Sequence, residues 1–325
     1  MSQYVKITRI EFIVTNRCNS RCRHCLIDIE KRNLKPTAIS IELSTRVIKE
    51  IASKYSPQSI MTFGGEPLLF PEVVCSIHQT ARDCGIGKRE IITNAGWKHS
   101  EIESRIMAKK LAESGVTDMA ISVDGFHQEY IPVHIVEQNV RMLVDVGISV
   151  AWNPCWVISK EHDNTWNTRT KAILGDLRHL SVPELDGNIV QPAGNALKML
   201  SEFLPEKTLS PEGSCEDVPY AGRLDQIDCI SIEPNGDVAV CKQFYIGNAA
   251  KQNTIDILQN YNPHAIPEME AIFQGGMATL EEYAMQKGVT PSSEGYFSIC
   301  DKCIDLRQKI REISADITTR RQDDT

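Results

Sequence analysis

CNSRCRHC, residues 18–25, comes shortly after an apolar run, residues 10–14, that is typical of a buried strand. Three thiolates on one short loop can hold three irons of a cubane iron–sulfur cluster and leave the fourth iron open to another ligand. Because such cubanes usually take four cysteines, this group of three predicts a cluster that takes part in chemistry. The alternatives are a zinc loop with a distant fourth ligand and a chance grouping of cysteines.

The composition indicates a globular chain that works in a reducing compartment. Its 325 residues suffice for one large domain with an appendage or for two domains, and 42% of them are hydrophobic. The net charge of −8 disfavours nucleic acid as the main partner, because phosphate binding needs clustered lysine and arginine. No apolar run is long enough to span a membrane, and residues 1–9 lack the apolar core of a signal peptide. We therefore expect a cytoplasmic protein with no membrane partner, whose eleven cysteines are not paired in disulfides.

Strand-like and helix-like segments alternate over the first 195 residues. Six such repeats predict a parallel sheet with right-handed crossovers, and six are too few for a closed eight-stranded barrel. The predicted fold class is therefore α/β, with a partial (βα)6 TIM-like barrel. The predicted strands are 8–14, 59–63, 90–93, 118–123, 149–154 and 187–191. The predicted helices are 41–55, 71–84, 100–114, 133–146 and 164–177.

Two further features of these helices can be predicted. Glycines in the left-handed conformation are expected just past three helix ends, at Gly85, Gly115 and Gly147. Helical periodicity predicts the buried side of the helix 100–114, with Ile102, Ile106, Lys109, Leu111 and Ala112. It does the same for the helix 133–146, with Val136, Val140, Leu143 and Val144.

Polar or glycine-rich segments follow all six predicted strands. The cysteine loop follows the first strand, and the segments after the others are FGGEP (63–67), TNAGW (93–97), SVDGFH (122–127), NPCW (153–156) and QPAGN (191–195). Because the carboxyl ends of parallel strands meet at one edge of a sheet, the sites of α/β folds lie there. The sequence therefore predicts one site that combines these segments with the three cysteines.

The pattern changes after the sixth repeat. Residues 201–222 are rich in proline and charge, which predicts a linker. Two alternating segments then flank Pro-Asn-Gly at 234–236 and predict a β-hairpin. A type I turn followed by a bulge at the glycine pairs Ile232 with Val238. The same register sets Cys229 directly opposite Cys241.

The end of the chain carries a CxxC pair, Cys300 and Cys303, which opens a last helix with an apolar stripe. That stripe comprises Leu306, Ile310, Ile313 and Ile317. We expect three parts: a barrel in residues 1–200, a linker in 201–222 and a small α+β iron–sulfur domain in 223–325. Four cysteines of the last part could then lie together.

The motifs resemble those of the radical S-adenosylmethionine (radical SAM) superfamily. The resemblance rests on the cysteine triplet, the GGEP segment 64–67 and Asn94, and it covers about the first 195 residues. It implies an enzyme with a [4Fe–4S] cluster whose unique iron binds S-adenosylmethionine. Reductive cleavage of S-adenosylmethionine then yields a 5′-deoxyadenosyl radical that abstracts a substrate hydrogen. An electron donor such as flavodoxin or ferredoxin is implied as a partner.

The resemblance also implies roles for single residues. The ligands of the cluster are Cys18, Cys22 and Cys25. The residues expected to contact S-adenosylmethionine are His24, Gly64, Gly65, Glu66, Pro67, Asn94, Ser122, Asp124, Pro192 and Gly194. His24 departs from the aromatic residue that the family often has before the third cysteine. The structural alternatives are a helix cap for Glu66, plain turn residues for Asn94 and Asp124, and a solvated loop residue for His127.

The C-terminal cysteines resemble the auxiliary-cluster extensions of the SPASM or twitch kind, in a shortened form. This resemblance implies a second [4Fe–4S] cluster on Cys229, Cys241, Cys300 and Cys303, with Cys215 as a possible substitute ligand. A zinc ion on four thiolates is the alternative.

The substrate is expected to be a peptide, because the layout with one auxiliary cluster resembles that of radical SAM peptide epimerases. Those enzymes use a thiol as hydrogen-atom donor beside the second auxiliary cysteine, where this chain has Lys242. Cys155 is the best remaining donor, with a buried inert thiol as the alternative and Cys215 as a second choice. A thioether or C–C crosslink, a maturase of a small molecule or cofactor precursor, and an iron–sulfur electron carrier are the competing functions.

Overall fold

The computed structural model of the chain describes residues 2–29, 38–97, 100–218, 222–241 and 244–323, with backbone alone from residue 314. Ten strands are described: β1 Val5–Thr15, β2 Ser59–Gly64, β3 Lys88–Thr93, β4 Asp118–Ile121, β5 Ser149–Trp152, β6 Cys155–Trp156, β7 Asn188–Ile189, β8 Ile227–Ile232, β9 Asp237–Cys241 and β10 Phe244–Asn248. The described α-helices are α1 Ile41–Lys54, α2 Pro71–Asp83, α3 Glu101–Ser114, α4 Val133–Asp145, α5 Thr165–Asp176, α6 Asn195–Met199, α7 Thr254–Gln259, α8 Pro267–Gln286 and α9 Ile299–Asp323. Short 3-10 turns join several of them.

A mostly parallel sheet forms the centre of the fold. Its strand order is β10-β9-β8-β1-β2-β3-β4-β5, and the pairs from β1 to β5 are all parallel. The helices α1 to α4 connect these strands, as the alternating pattern predicts. The prediction of an α/β fold with a parallel sheet is therefore confirmed, and the five carboxyl strand ends lie along one edge.

The sixth predicted strand is much shorter than expected. Only Asn188–Ile189 is extended, and it pairs with β6 in a separate parallel two-stranded sheet. A single bridge between Trp152 and Glu184 links this segment to the end of β5. Asn153 and Pro154 interrupt the chain between β5 and β6, since proline cannot donate to a strand ladder. The parallel arrangement thus continues beyond β5, but with a break.

The helices end largely as the sequence predicts. The backbone is left-handed at all three expected glycines, with φ of 78°, 95° and 84° at Gly85, Gly115 and Gly147. The predicted stripe of α3 is correct at Leu111, which is fully buried, but wrong at Ile102 and Ile106, which are 75% and 62% exposed. The buried side of α3 instead carries small or flexible side chains: Ser104, Met107, Ala108, Leu111 and Ser114. Apolar periodicity failed there because α3 packs through small residues, including two serines.

The stripe predicted for α4 is mostly correct. Val136, Val140 and Leu143 are buried, whereas Val144 is 52% exposed. In α9 Leu306 and Ile310 are buried. The side chain of Ile317 lies outside the described residues.

The C-terminal hairpin has the predicted register and joins the barrel sheet. Ile232 pairs with Val238 and Ser231 with Ala239 in an antiparallel ladder. Strand β8 also pairs in parallel with β1, so that Ile230 lies beside Ile10. The linker and domain division stays a prediction, but the hairpin is part of the same eight-stranded sheet as the barrel strands.

The two faces of β1 differ in character. Ile10, Phe12 and Val14 are fully buried in the main hydrophobic core. Arg9 and Glu11 lie on the opposite face, and the Arg9 guanidinium contacts Glu11 at 2.8 Å and Glu90 at 2.6 Å. One face of the sheet thus packs against helices, while the other holds a network of charged groups.

Candidate active site at the strand ends

The cysteine loop leaves the end of β1 and is fixed by its own backbone. The N–H of Cys25 donates to the carbonyl of Cys22 at 3.2 Å, and the N–H of Ser20 points at Sγ of Cys18 at 3.4 Å. Cys22 is buried, whereas Cys18 and Cys25 are partly exposed. The three predicted ligands are therefore held on one short turn, with two of them facing outward.

Asn94 ties the first half of this loop to the end of β3. Its Nδ2 lies 2.8 Å from Oδ1 of Asn19 and 3.8 Å from Sγ of Cys18, and its Oδ1 accepts the N–H of Gly96 at 2.9 Å. Asn19 in turn donates to the carbonyl of Gly96 at 2.9 Å. Asn94 thus acts on the cysteine loop, and its contact with S-adenosylmethionine stays a prediction.

Asn195 ties down the second half of the loop. Its backbone N–H donates to the carbonyl of Cys25 at 2.9 Å, and its Nδ2 donates to the carbonyl of Cys22 at 3.2 Å. Gly194 has a φ of 55°, and a Cβ there would collide with the carbonyl of Leu26. The resemblance places Asn195 with the segment near the adenine of S-adenosylmethionine, and the structure shows in addition that Asn195 ties down the cysteine loop.

The two glycines of the GGEP segment let the loop after β2 press against the chain that leads into the cysteines. The N–H of Gly65 donates to the carbonyl of Thr15 at 2.7 Å. A Cβ at Gly65 would collide with the carbonyl of Arg17, and one at Gly64 with that of Thr15. The glycines are therefore required by close backbone packing next to the cysteine loop.

Glu66 is fully buried. The hydrogen bonds described for its carboxylate are all accepted from other residues of this protein. Oε1 accepts from the N–H of Leu68 at 3.0 Å and from the hydroxyl of Thr93 at 2.8 Å, and Oε2 accepts from the N–H of Asn94 at 2.9 Å. Burial raises the pKa of this carboxyl. Glu66 caps the short turn that begins at Pro67 and joins it to β3, whereas the helix that begins at Pro71, for which a cap was the alternative role, has no side-chain cap. The contact of Glu66 with S-adenosylmethionine stays a prediction.

Asp124 is also fully buried, at the end of β4. It accepts the N–H groups of Phe126 and His127 at 2.9 Å and of Cys155 at 3.1 Å, and Oδ2 lies 2.8 Å from Nδ1 of His127. Burial alone would raise the pKa of Asp124, but the charge of His127 and these hydrogen bonds lower it to about 2. The carboxylate is thus a fixed anion that holds the imidazole of His127.

His127 is not a solvated loop residue. Burial would lower its pKa, but the charge of Asp124 and the hydrogen bond to it raise the pKa above 6.5. Its ring centroid lies 4.8 Å from that of His24. His127 therefore brings an imidazole that Asp124 holds in place next to the loop that carries the third cysteine.

His24 is partly buried and neutral. Its ring packs against Phe126 with centroids 4.7 Å apart, and burial lowers its pKa to about 4. Its Nδ1 is buried and has no hydrogen-bond partner among the described residues. An unpaired buried nitrogen at this position offers a bond to a ligand, which fits the predicted contact of His24 with S-adenosylmethionine.

Cys155 lies in a small apolar cluster with Cys22, Phe126 and Val157. Burial, followed by the charge of Asp124, raises the pKa of its thiol well above 9. These surroundings favour the packing role over that of hydrogen-atom donor. The other predicted residues keep their strand-end positions: Ser122 follows β4, and Pro192 and Gly194 lie between β7 and α6.

In the C-terminal part, the charges of Cys241, Cys300 and Cys303 act on the thiol of Cys215, and these four cysteines form one electrostatic group. The ligand set that includes Cys229 stays a prediction. Burial raises the pKa of Cys215 to about 12, and the charges of Cys303, Cys241 and Cys300 contribute to this rise. Cys215 opens a short turn, Cys241 ends β9, and the CxxC pair lies in the first turn of α9. Cys215 is thus the fourth member of this group.

Cys229 lies apart from this group. It pairs with Arg9 in the register of β8 with β1, and the charge of Glu11 is the largest contribution after burial in raising its pKa to about 12. The ladder between β8 and β9 ends at Ser231 and Ala239, two residues short of both cysteines. The neighbour Lys242 lies outside the described residues.

The donor set fits the implied groups. Three thiols on one fixed turn suit a cubane with one open iron. A second cluster or a zinc ion in the C-terminal part stays a prediction. Within the described residues no helix combines the length and apolarity that crossing a bilayer requires.

Comparison with known proteins gives partial matches. Fe-coproporphyrin III synthase of Methanosarcina barkeri is 33% identical over 121 residues, which are 35% of this chain and 27% of that protein. GTP 3',8-cyclase of Vibrio parahaemolyticus is 33% identical over 133 residues, which are 38% of this chain and 37% of that protein. The chain therefore spans well under half the length of either relative.

The solved structure of BtrN in complex with AdoMet and 2-DOIA shares 16% identity with this chain at a TM-score of 0.47, covering 84% of this chain and 89% of that one. A model of the Radical SAM superfamily matches residues 12–170, the segment that contains the cysteine loop and the first four helices. Residues 12–170, just under half of the chain, are therefore similar to the radical SAM superfamily of enzymes, the resemblance that the sequence motifs predict.

Proposed function

We propose that the chain is a radical SAM enzyme that holds a [4Fe–4S] cluster on Cys18, Cys22 and Cys25 and abstracts a hydrogen atom from its substrate. The observation that carries this proposal is the turn of three thiols, which Asn94 and Asn195 hold from both sides. When bound, the cluster and S-adenosylmethionine supply a 5′-deoxyadenosyl radical. The protein supplies binding, orientation and exclusion of water.

The residues around the loop have distinct tasks in this proposal. The unpaired Nδ1 of His24 is available to the adenine or ribose of S-adenosylmethionine. The backbone of the GGEP loop, packed against Thr15 and Arg17, offers carbonyl groups to the methionine ammonium. Asp124 acts indirectly, because its own oxygens are engaged and it holds His127 in place.

A second [4Fe–4S] cluster is proposed on Cys215, Cys241, Cys300 and Cys303. The mutual charge effects among these thiols support it, and Cys215 replaces Cys229 in the set predicted from the sequence. Metal analysis tests this: we expect about eight irons per chain and no zinc, as two cubanes require. One zinc and about four irons would contradict the second cluster.

The site supports two classes of substrate. A small-molecule or cofactor precursor is favoured by the relatives, which are named as a porphyrin synthase and a nucleotide cyclase. A ribosomal peptide, to be epimerised or crosslinked, is favoured by the resemblance of the C-terminal cysteine layout to peptide-modifying enzymes.

Reductive cleavage tests the enzyme itself. Anaerobic incubation with dithionite and S-adenosylmethionine should yield 5′-deoxyadenosine, and Cys22→Ala should abolish it. Cys84→Ala is the matched control, since Cys84 lies at the far end of α2 and should leave the yield unchanged. A wild-type chain with a loaded cluster and no 5′-deoxyadenosine would leave only the electron-carrier function.

The substrate class is separated by treating a cell extract with protease. If the substrate is a small molecule, an extract that stimulates 5′-deoxyadenosine formation should keep this effect after proteolysis and removal of the protease. A peptide substrate predicts that the stimulation disappears. Deuterium uptake from heavy water into a single residue would then identify epimerisation.

A further inference from the structure

Two arginines of the cysteine loop lie at the surface without an acidic partner. Arg17 and Arg21 stand on either side of Cys18 in the sequence, and both are exposed. Among the described residues neither guanidinium has a hydrogen bond or an ion pair. Arg46, by contrast, pairs with Glu50 one turn further along its own helix. The surface beside Cys18 therefore carries two positive charges that the described part of the chain does not compensate.

The acidic groups described around this loop are already engaged by other cations. Asp28, the only acid in residues 16–29, has Oδ2 at 3.1 Å from Nζ of Lys198 on α6. An oxygen of Glu129 lies 3.1 Å from Nε of Arg23, the third arginine of the loop. The loop surface thus stays positive in a chain whose net charge is −8.

The same surface lies close to the proposed first cluster. Cys18 and Cys25 are partly exposed, whereas Cys22 is buried, so a cluster on these thiols lies just beneath the loop. Electron transfer slows steeply with distance, and a donor protein therefore has to dock near the loop. A positive patch attracts a negatively charged protein and raises the rate of productive encounters. Position and charge together favour an acidic electron donor as the occupant of this surface.

We propose that Arg17 and Arg21 form the docking surface for an acidic one-electron donor protein that carries a flavin or an iron–sulfur group. This inference rests on the proposed function, because it names the partner of the same cluster. In the docked pair the donor is oxidised by one electron and the cluster is reduced by the same electron. No bond forms or breaks and no proton moves in this step. Both arginines contact the partner rather than the reacting atoms, so they are docking residues and not catalytic residues.

Direct binding is the first test. Calorimetric titration of the iron-loaded full chain with an acidic flavodoxin, under anaerobic conditions, gives the affinity. We expect Arg17→Glu and Arg21→Glu each to weaken binding by about tenfold, the lower end of what electrostatic steering contributes. Added salt should weaken binding to the wild type strongly and binding to the variants much less, because salt screens exposed charges.

Arg178→Glu is the matched control for the change of charge. Arg178 is exposed and lies in the turn Leu177–Leu180, past the C-terminal end of α5. In a βα unit that end is at the edge of the sheet opposite the carboxyl ends of the strands. The affinity of this variant for flavodoxin should equal that of the wild type.

A rate assay separates docking from chemistry. The yield of 5′-deoxyadenosine with flavodoxin and its reductase as the electron source should fall about tenfold in Arg21→Glu, in step with the lost affinity. With dithionite, a small reductant that needs no docking surface, the yield should equal that of the wild type. If the charge reversal hinders iron loading, Arg21→Gln, which only removes the charge, should still show weaker flavodoxin binding.

Several outcomes would overturn the inference. Unchanged flavodoxin binding in both glutamate variants is one, and salt-independent binding to the wild type is another. A wild-type chain that binds neither flavodoxin nor an acidic ferredoxin refutes the partner, as does tighter binding of a DNA duplex through the same arginines. Loss of iron from both Arg21 variants would make Arg21 an assembly residue instead. Absence of 5′-deoxyadenosine with dithionite would contradict the proposed function itself, and it is distinguishable because binding is measured separately.

Discussion

Two asparagines, Asn94 and Asn195, hold the ends of the cysteine loop. The side chain of Asn195 gives the buried carbonyl of Cys22 a donor at 3.2 Å. Asn195→Ala removes that donor while the N–H of Cys25 still pairs with the same carbonyl, and it should lower the free energy of unfolding by about 1 kcal/mol, the usual net contribution of one hydrogen bond. Iron content after reconstitution should fall as well. Asn188→Ala, at an exposed strand position, is the control and should change neither quantity.

The ion pair of Asp124 and His127 predicts a pH dependence of stability. The folded pKa of His127 is raised above 6.5, so its contribution is complete below 6.5 and is lost as the pH rises through the folded value. The folded pKa of Asp124 is lowered from 3.8 to about 2, so its contribution is present above 3.8 and is lost as the pH falls towards 2. Between these limits the pair stabilises the fold fully.

Urea unfolding of His127→Gln measures this effect. The free energy of unfolding should differ from that of the wild type more at pH 5 than at pH 9. The exposed His134→Gln is the control, and its difference from the wild type should stay small at both values. An equal effect of His127→Gln at both pH values would mean that its role is packing alone.

Among the elements, α8 has the clearest link to the second cysteine group. Its helical geometry is interrupted at Gly275 and Gly276, and Gly276 has a φ of 66°. The N–H of Met277 donates to the carbonyl of Gly213 at 2.9 Å, two residues before Cys215. The break in the helix therefore frees an N–H group that fixes the loop carrying this cysteine by a hydrogen bond.

Gly276→Ala should displace the loop that carries Cys215, because the added Cβ would collide with the carbonyl of Gly213. We expect the iron content to fall from about eight towards four per chain, the content of one cubane. Gly288→Ala is matched in backbone strain, with a φ of 86°, but its Cβ would meet nothing within 4 Å. Unchanged iron in Gly276→Ala would show that the loop adapts without loss of the site.

At the scale of the whole molecule, the pairing of β8 with β1 makes the C-terminal hairpin part of the barrel sheet. A chain that stops at residue 204 loses β8 and leaves β1 as an open edge with unpaired N–H and C=O groups. We expect this fragment to form larger species in size-exclusion chromatography than the full chain does at the same concentration. A monomeric, folded fragment would instead support a barrel in residues 1–200 that folds by itself.

Local patterns predicted much of the fold, because they depend on short stretches of chain. The spacing of β-branched runs and glycine caps located α1 to α5 and the first five strands within a few residues. The hairpin register followed from three turn residues. The buried side of α3 could not be predicted in this way, since its contacts use serine and alanine and leave Ile102 and Ile106 exposed.

By itself the sequence determined the cysteine triplet, its place after the first strand and the resemblance to the radical SAM superfamily, because these depend on residue identity and spacing along one segment. Only the tertiary structure decided that Cys215 joins Cys241 and the CxxC pair while Cys229 lies beside Arg9. The same holds for Asn195, which reaches Cys22 from 173 residues away. The physical reason is that these contacts depend on how the strands pair and where α8 bends. Such long-range packing produces no periodic pattern in the sequence.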